Sequence, residues 1–212
     1  MIKGTFSLLL ALLVGSAFAQ TSSESANEPL SRQLQLIESL QRRVDRLAFG
    51  EPGVNNYHLA KARTWLDLAL SEYYDKDDSG VVSAAIGQSE ILLDALEKKQ
   101  TGITMDTPQQ IPGSEALRPD LWNKIDALKK HNKFFCGQRL IAEAEVYLVW
   151  AGHENYESGA SHALSYVAHV ENLINDAQVT VNNCTAAPVA VITMPPPAGT
   201  HVIKIWPTSP GH

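Results

Sequence analysis

The 212-residue chain has little of what usually carries chemistry: two cysteines, 7% aromatic residues and 19% charged residues. Neither cysteine stands in a Cys-x-x-Cys pair, which excludes that redox motif. Seventeen Lys and Arg against 23 Asp and Glu give a net charge of -6, and the basic residues are scattered. The absence of a basic stripe argues against a nucleic-acid partner, and no segment reads as a polybasic membrane-surface helix. No nucleophile elbow, HExxH, phosphate loop or dinucleotide fingerprint occurs, so the chain is not expected to be an enzyme and calls for no cofactor.

What is present starts with an address. Lys3 gives a positive start, Ser7 to Ala19 are apolar or small with few exceptions, and Ala17-Phe18-Ala19 fits a small-x-small cleavage site. Residues 1–19 therefore read as a cleaved signal peptide. The run falls short of the roughly 20 residues a membrane span needs, and no later segment is long and apolar enough to span. The exported part is expected to occupy an oxidising compartment. There Cys136 and Cys184 most simply form one disulfide around a predicted helical hairpin. Closing a loop of that size is worth roughly 4 kcal/mol on the chain-entropy model.

Residues 20–28 are polar and read as disordered. Leu30, Ile37 and Val44 recur every seven residues, with Leu40 and Leu47 between them, so an amphipathic helix is expected from Pro29 to Ala48. Its stripe suits packing on the parent domain or a homodimer contact through residues 29–48. Ala62, Leu66, Ala69 and Tyr73 mark a second helix, and Val82, Ala85, Ile86, Ser89, Leu93 and Leu96 mark one face of a third. The same pattern returns 82 positions later. Ala60–Ala95 and Ala142–Ala177 align without a gap and share ten identities in 36 positions, among them Glu72 with Glu154 and Tyr74 with Tyr156. That argues for duplicated αα-hairpins, loosely like a tetratricopeptide repeat but separated by residues 100–135 and so packed as a bundle. Residues 101–118 read as a loop. Pro119, Leu121, Trp122, Ile125 and Leu128 make a short helix across the bundle. The fold class expected is all-α: a helical domain over 29–182, then a proline-rich tail over 183–212.

The segments AKARTWLDLALSEYYDKDDSG (Ala60–Gly80), ALRPDLW (Ala116–Trp122) and AEAEVYLVWAGHENY (Ala142–Tyr156) resemble the N-terminal helical region of certain outer membrane protein A-like (OmpA family) proteins of Gram-negative bacteria. The resemblance covers residues 57–178. It implies a periplasmic or outer-membrane-associated location and the helical module alone. The peptidoglycan-binding domain that follows in such proteins has no counterpart in this chain.

Several side-chain groups were weighed as sites. Asp75, Asp77, Ser79 and Gly80 start like a calcium loop, but Ile86 stands where the bidentate Glu is needed. A solvated turn in which Asp78 or Ser79 caps the next helix is the better reading. His162 and His169 share a helix face, and ligation would need His153 or Glu154 as well; no metal site is assigned. Glu72 and Glu154 would make a hydrolytic carboxylate pair only if both faced one cleft, and the preferred reading leaves both solvated. Trp65, Tyr73, Tyr147 and Trp150 are natural core, with a groove that also includes Glu72 and Glu154 as the functional alternative. The resulting expectation is a cell-envelope helical protein that acts by contact with another envelope protein. The competitors are a small-ligand or cell-wall-fragment binder and a Glu-pair hydrolase.

Overall fold

A computed structural model describes residues 22–50 and 56–185. The segment read as a signal peptide, residues 1–19, and the expected proline-rich tail from residue 186 onward lie outside the described residues. The described residues form six α-helices and no strand, so this part of the chain is all-α. The helices are α1 (Ser22–Gly50), α2 (Asn56–Asp75), α3 (Val81–Glu97), α4 (Pro119–Lys129), α5 (Phe134–Ser158) and α6 (Ala160–Asn183). No helix among the described residues is long and apolar enough to cross a membrane.

Helix α1 begins at Ser22, inside the segment read as disordered and ahead of the expected start at Pro29. Ile37, Leu40 and Val44 fall on one face at helical spacing, and all three are buried. That face packs on α2 and α3 of the same chain. Each side chain so removed from water contributes about 1.5–3 kcal/mol. Arg43 fixes the placement from the rim, donating to Asp94 (2.6 Å) and to both Glu97 oxygens (2.9 and 2.7 Å) on α3. The stripe proposed for a homodimer contact is thus used inside the chain.

Helix α2 is central. It packs on α1, α3 and α5, and apolar residues cover more than one of its faces. Ala62, Leu66 and Ala69 are buried as expected, and so is a second stripe of Tyr57, Lys61, Trp65, Leu68 and Glu72. The second stripe is the α5-facing one. Tyr57 and Lys61 meet Glu145, while Glu72 meets Trp150 and His153, so contacts advance in the same sense along both helices. Helix α3 buries Val82, Ala85, Ile86, Ser89 and Leu93 on the predicted face, and the Ser89 hydroxyl donates to the Ala62 carbonyl (3.0 Å).

Helix α4 starts with Pro119 at its first turn, where a missing N–H costs nothing, and packs on α5 and α6 through Leu121, Trp122, Ile125 and Leu128. Helices α5 and α6 form the second hairpin, turning at Gly159 alone, whereas the first turns over residues 76–80. Cys136 in the first turn of α5 is joined to Cys184 at the C-cap of α6 across a Cα–Cα distance of 6.3 Å.

The connector between α3 and α4 lies against α2 and α5. The Glu115 N–H donates to the Gly152 carbonyl (3.2 Å). A Cβ at Gly152 would collide with the Glu115 carbonyl, which is why the middle of α5 carries glycine there. Gly113 has φ +73° and approaches Ser79 so closely that a side chain would not fit.

Candidate functional site

The seam between α2 and α5 is apolar in the middle, where Trp65, Leu68 and Val149 are buried, and ionic at both ends. Such clusters demand explanation, because an uncompensated charge in a protein interior costs several kcal/mol.

At one end Glu145 of α5 is almost fully buried. Its Oε2 accepts from Lys61 (3.0 Å) and from the Tyr57 hydroxyl, and its Oε1 accepts from Lys129 at the end of α4 (2.8 Å). Lys61 Nζ also donates to the Tyr57 oxygen (2.6 Å), to Thr107 Oγ1 (2.6 Å) and to the Met105 carbonyl (3.1 Å). Lys129 donates to the same carbonyl (2.9 Å). The cluster ties α2, α4, α5 and the connector together. Burial pushes the Lys61 ammonium below its ordinary value while Glu145 pulls the other way. Burial, then the Glu145 charge, hold the Tyr57 phenol far above its own. Both lysines and the tyrosine are engaged with the one carboxylate, so the arrangement is a closed network.

At the other end Glu72 of α2 is buried beneath α5. Its Oε1 accepts from Trp150 Nε1 (2.9 Å), and its Oε2 lies 3.0 Å from His153 Nε2. His153 Nδ1 lies 2.7 Å from the Gly113 carbonyl, an acceptor only, so Nδ1 carries the proton and Nε2 faces the carboxylates. Two more carboxylates approach that nitrogen: Glu157 Oε2 at 3.8 Å and Asp77 Oδ2 at 4.0 Å. Burial lowers the imidazole, but the Glu72 bond, the Gly113 bond and the Glu72 and Asp77 charges outweigh it and hold His153 at about 9. Among the described residues no Lys or Arg pairs with Glu72, Asp77 or Glu157.

The six residues expected as a possible groove differ in exposure. Trp65, Glu72 and Trp150 are buried, while Tyr73, Tyr147 and Glu154 are partly exposed. Tyr147 stacks on Trp150 with ring centroids 5.4 Å apart, and Trp150 meets Tyr166 of α6 at 5.1 Å. Glu154 is only partly buried. It bonds the Tyr166 hydroxyl and, after burial, holds that phenol above its ordinary value. Glu72 is not solvated, and its two oxygens are engaged by Trp150 and His153. His162 is exposed, and His169 sits edge-on to Tyr147 at 4.4 Å, so neither joins His153.

The first interhelical turn also differs from its reading. Asp77 Oδ1 accepts from the Ser79 N–H (2.9 Å) and hydroxyl (2.6 Å), its side chain only 5% exposed. The N-cap of α3 is Gly80, without a side-chain cap. The Val81 N–H still donates to Ser79 Oγ (3.4 Å), so Ser79 keeps part of its expected role at the head of α3, but the turn is not solvated throughout, because the Asp77 side chain points in toward His153.

Reasoning from the sequence missed His153, Asp77, Glu145, Lys61 and Lys129 as a set. The available signal was helical phase: Trp150, His153 and Glu157 are spaced three and four apart, and Tyr57 and Lys61 four apart.

Two surface pockets lie away from the seam. One of 380 Å³ is lined by Leu59, Ala60, Arg63, Phe135, Arg139 and Glu143, beside the disulfide end of α5. One of 220 Å³ lies between α1 and α2 at Gln41, Asp45, Arg63 and Asp67. Neither contains a residue of the predicted groove. A scan against protein-family models, a search of curated proteins and a search of solved structures each find no match for this chain.

Proposed function

We propose that the chain is a non-enzymatic helical module of the cell envelope, periplasmic or outer-membrane-associated, that works by contact with another envelope protein. The observation that carries this reading is the closed seam. Glu72 and Glu145, the two buried carboxylates of the α2–α5 interface, are held by donors of the same chain, and aromatic and apolar side chains fill the space between them. The closed seam supports contact over hydrolysis and points to the outer helices as the contact surface. There Ile91 of α3 and Leu164 and Val179 of α6 are exposed apolar side chains, joined at the turn end by Tyr74 and Tyr156.

The Cys136–Cys184 bond supports export, since such bonds persist in oxidising compartments. The resemblance to the helical region of OmpA-like proteins supports the envelope. The duplication belongs to the same proposal: both aligned segments are helix pairs, and α2 and α5, their first members, pack on each other. The runner-up, a small-ligand binder, is favoured by the 380 Å³ pocket beside the disulfide end of α5.

Photo-crosslinking amino acids placed singly at Ile91, Tyr156, Leu164 and Val179 in living cells test the proposal. A discrete adduct with another envelope protein from at least one position is expected. Silence from all four positions would count against an interaction role.

A further inference from the structure

We propose that Glu72 Oε2, His153 Nε2 and Glu157 Oε2 form a binding site for one divalent first-row transition-metal ion, with the Asp77 carboxylate beside the imidazole as a further source of negative charge. The inference is independent of the interaction role.

Orientation carries the argument. Each buried side chain of the cluster uses its other polar atom on a partner outside the set. Trp150 Nε1 holds Glu72 Oε1 at 2.9 Å. Ser79 holds Asp77 Oδ1 through its N–H and hydroxyl. The Gly113 carbonyl holds His153 Nδ1–H at 2.7 Å. The remaining Glu72 and His153 atoms lie near Glu157 Oε2, and the remaining Asp77 oxygen lies 4.0 Å from His153 Nε2. This is the outer-shell pattern of metal sites, in which a carbonyl fixes the histidine tautomer and donors fix the carboxylates.

The dimensions fit. Ligand atoms of Glu72, His153 and Glu157 lie within 4.8 Å of one another, and Asp77 Oδ2 is 4.0 Å from the imidazole nitrogen. Ligands about 2.0–2.2 Å from a metal stand about 3–4 Å apart, so small rotations close the set. Glu157 has the most freedom, because its side chain is 50% exposed at the last turn of α5, and it opens the route to solvent. The charge fits as well. Three carboxylates share one imidazole, and among the described residues no Lys or Arg pairs with them. A dication would take the place of the proton on His153 Nε2, which is released when the metal binds, and would add one unit of positive charge beside the carboxylates. One nitrogen and two carboxylate groups, with no thiolate, suit the zinc and manganese class. The DKDDSG turn, which fails as a calcium loop, has a role here through Asp77.

The test is calorimetric titration of Zn²⁺ into the metal-stripped mature protein at mildly alkaline pH. Glu157→Gln is the diagnostic variant because its side chain is half-exposed. Circular dichroism and the metal-free Tm check that it folds. His162→Gln, on an exposed neighbouring histidine, is the control. Expected are one saturable site per chain, a rise in Tm with zinc, at least a tenfold loss of affinity in Glu157→Gln and none in His162→Gln. No saturable uptake, equal affinity in Glu157→Gln, or an equal loss in His162→Gln overturns the proposal.

Discussion

Replacing Glu145 by Gln keeps the shape of the buried cluster and removes one charge. In the parent protein that carboxylate neutralises Lys61, whose side chain is 2% exposed, at 3.0 Å. Without it two outcomes are open to Lys61. It can stay charged and uncompensated, which costs about 3–5 kcal/mol. Or it can lose its proton. From an ordinary value of 10.5, deprotonation at pH 7 costs about 5 kcal/mol, at about 1.4 kcal/mol per pH unit. The second route caps the first, so a loss of about 3–5 kcal/mol is expected. The second route also has a sign. A neutral folded Lys61 and a protonated unfolded one mean that the unfolded chain binds the extra proton, so stability of the variant rises with pH.

Urea unfolding with the disulfide intact measures this. The Glu145→Gln deficit should shrink by up to about 1.4 kcal/mol per unit as pH rises from 7 toward 9, a trend no packing defect would produce. The double variant Lys61→Met, Glu145→Gln removes both charges. It should recover at least about 2 kcal/mol relative to the sum of the single losses, because Lys129 is 14% exposed and keeps the Met105 carbonyl. A deficit flat in pH would mean that Lys61 stays charged, whereas a Glu145→Gln loss below about 1 kcal/mol or strict additivity would refute the view that Lys61 and Glu145 are coupled.

Four further outcomes follow from named contacts. Trp150→Phe removes the donor to Glu72 Oε1 and should cost about 2 kcal/mol in urea unfolding, the scale of a hydrogen bond to a charged group. Gly152→Ala forces the connector off α5 and should cost about 1–3 kcal/mol, with faster amide exchange at residues 111–117. Reducing Cys136–Cys184, whose positions are 48 apart, should lower stability by up to about 4 kcal/mol, seen as a fall in the urea midpoint with reductant. Arg43 holds the Asp94 and Glu97 carboxyls below their ordinary values, so what they contribute is present above about pH 4.5 and is lost as pH falls; Arg43→Ala should abolish that shift in an NMR titration and speed exchange along α1.

Helix content was legible because apolar spacing reports it directly. The α3 face from Val82 to Leu93, Pro119 at the head of α4 and the loop over 101–118 all follow from local rules. The identity of the seam was not legible, and α2 explains why. Ala62, Leu66 and Ala69 make a convincing stripe, but α2 lies between three neighbours and buries more than one face. The α5-facing stripe contains Tyr57, Lys61 and Glu72, which on any hydropathy reading belong outside. Polar residues can enter a core when their partners are already there, and those partners lie on α4, α5 and the connector, far away in sequence.

The same reasoning explains the misplaced glutamate pair. Matching repeat positions puts Glu72 opposite Glu154, as a symmetric pair. Facing side chains are chosen by helical phase at the contact. One residue along α5 turns a side chain by about 100°. That single step moves the partner of Glu72 from Glu154, which meets Tyr166 on the α6 side, to His153 on the α2 side. It also changes the chemistry. Two like carboxylates would repel, whereas a carboxylate and an imidazole attract, and Trp150 three residues earlier supplies the donor for the second oxygen. The tight turn at Gly159 and the longer turn at residues 76–80 complete the asymmetry, because only the longer one brings an aspartate, Asp77, to the histidine. Whatever relates the two hairpins by sequence, this polar end of the seam depends on the positions where they differ.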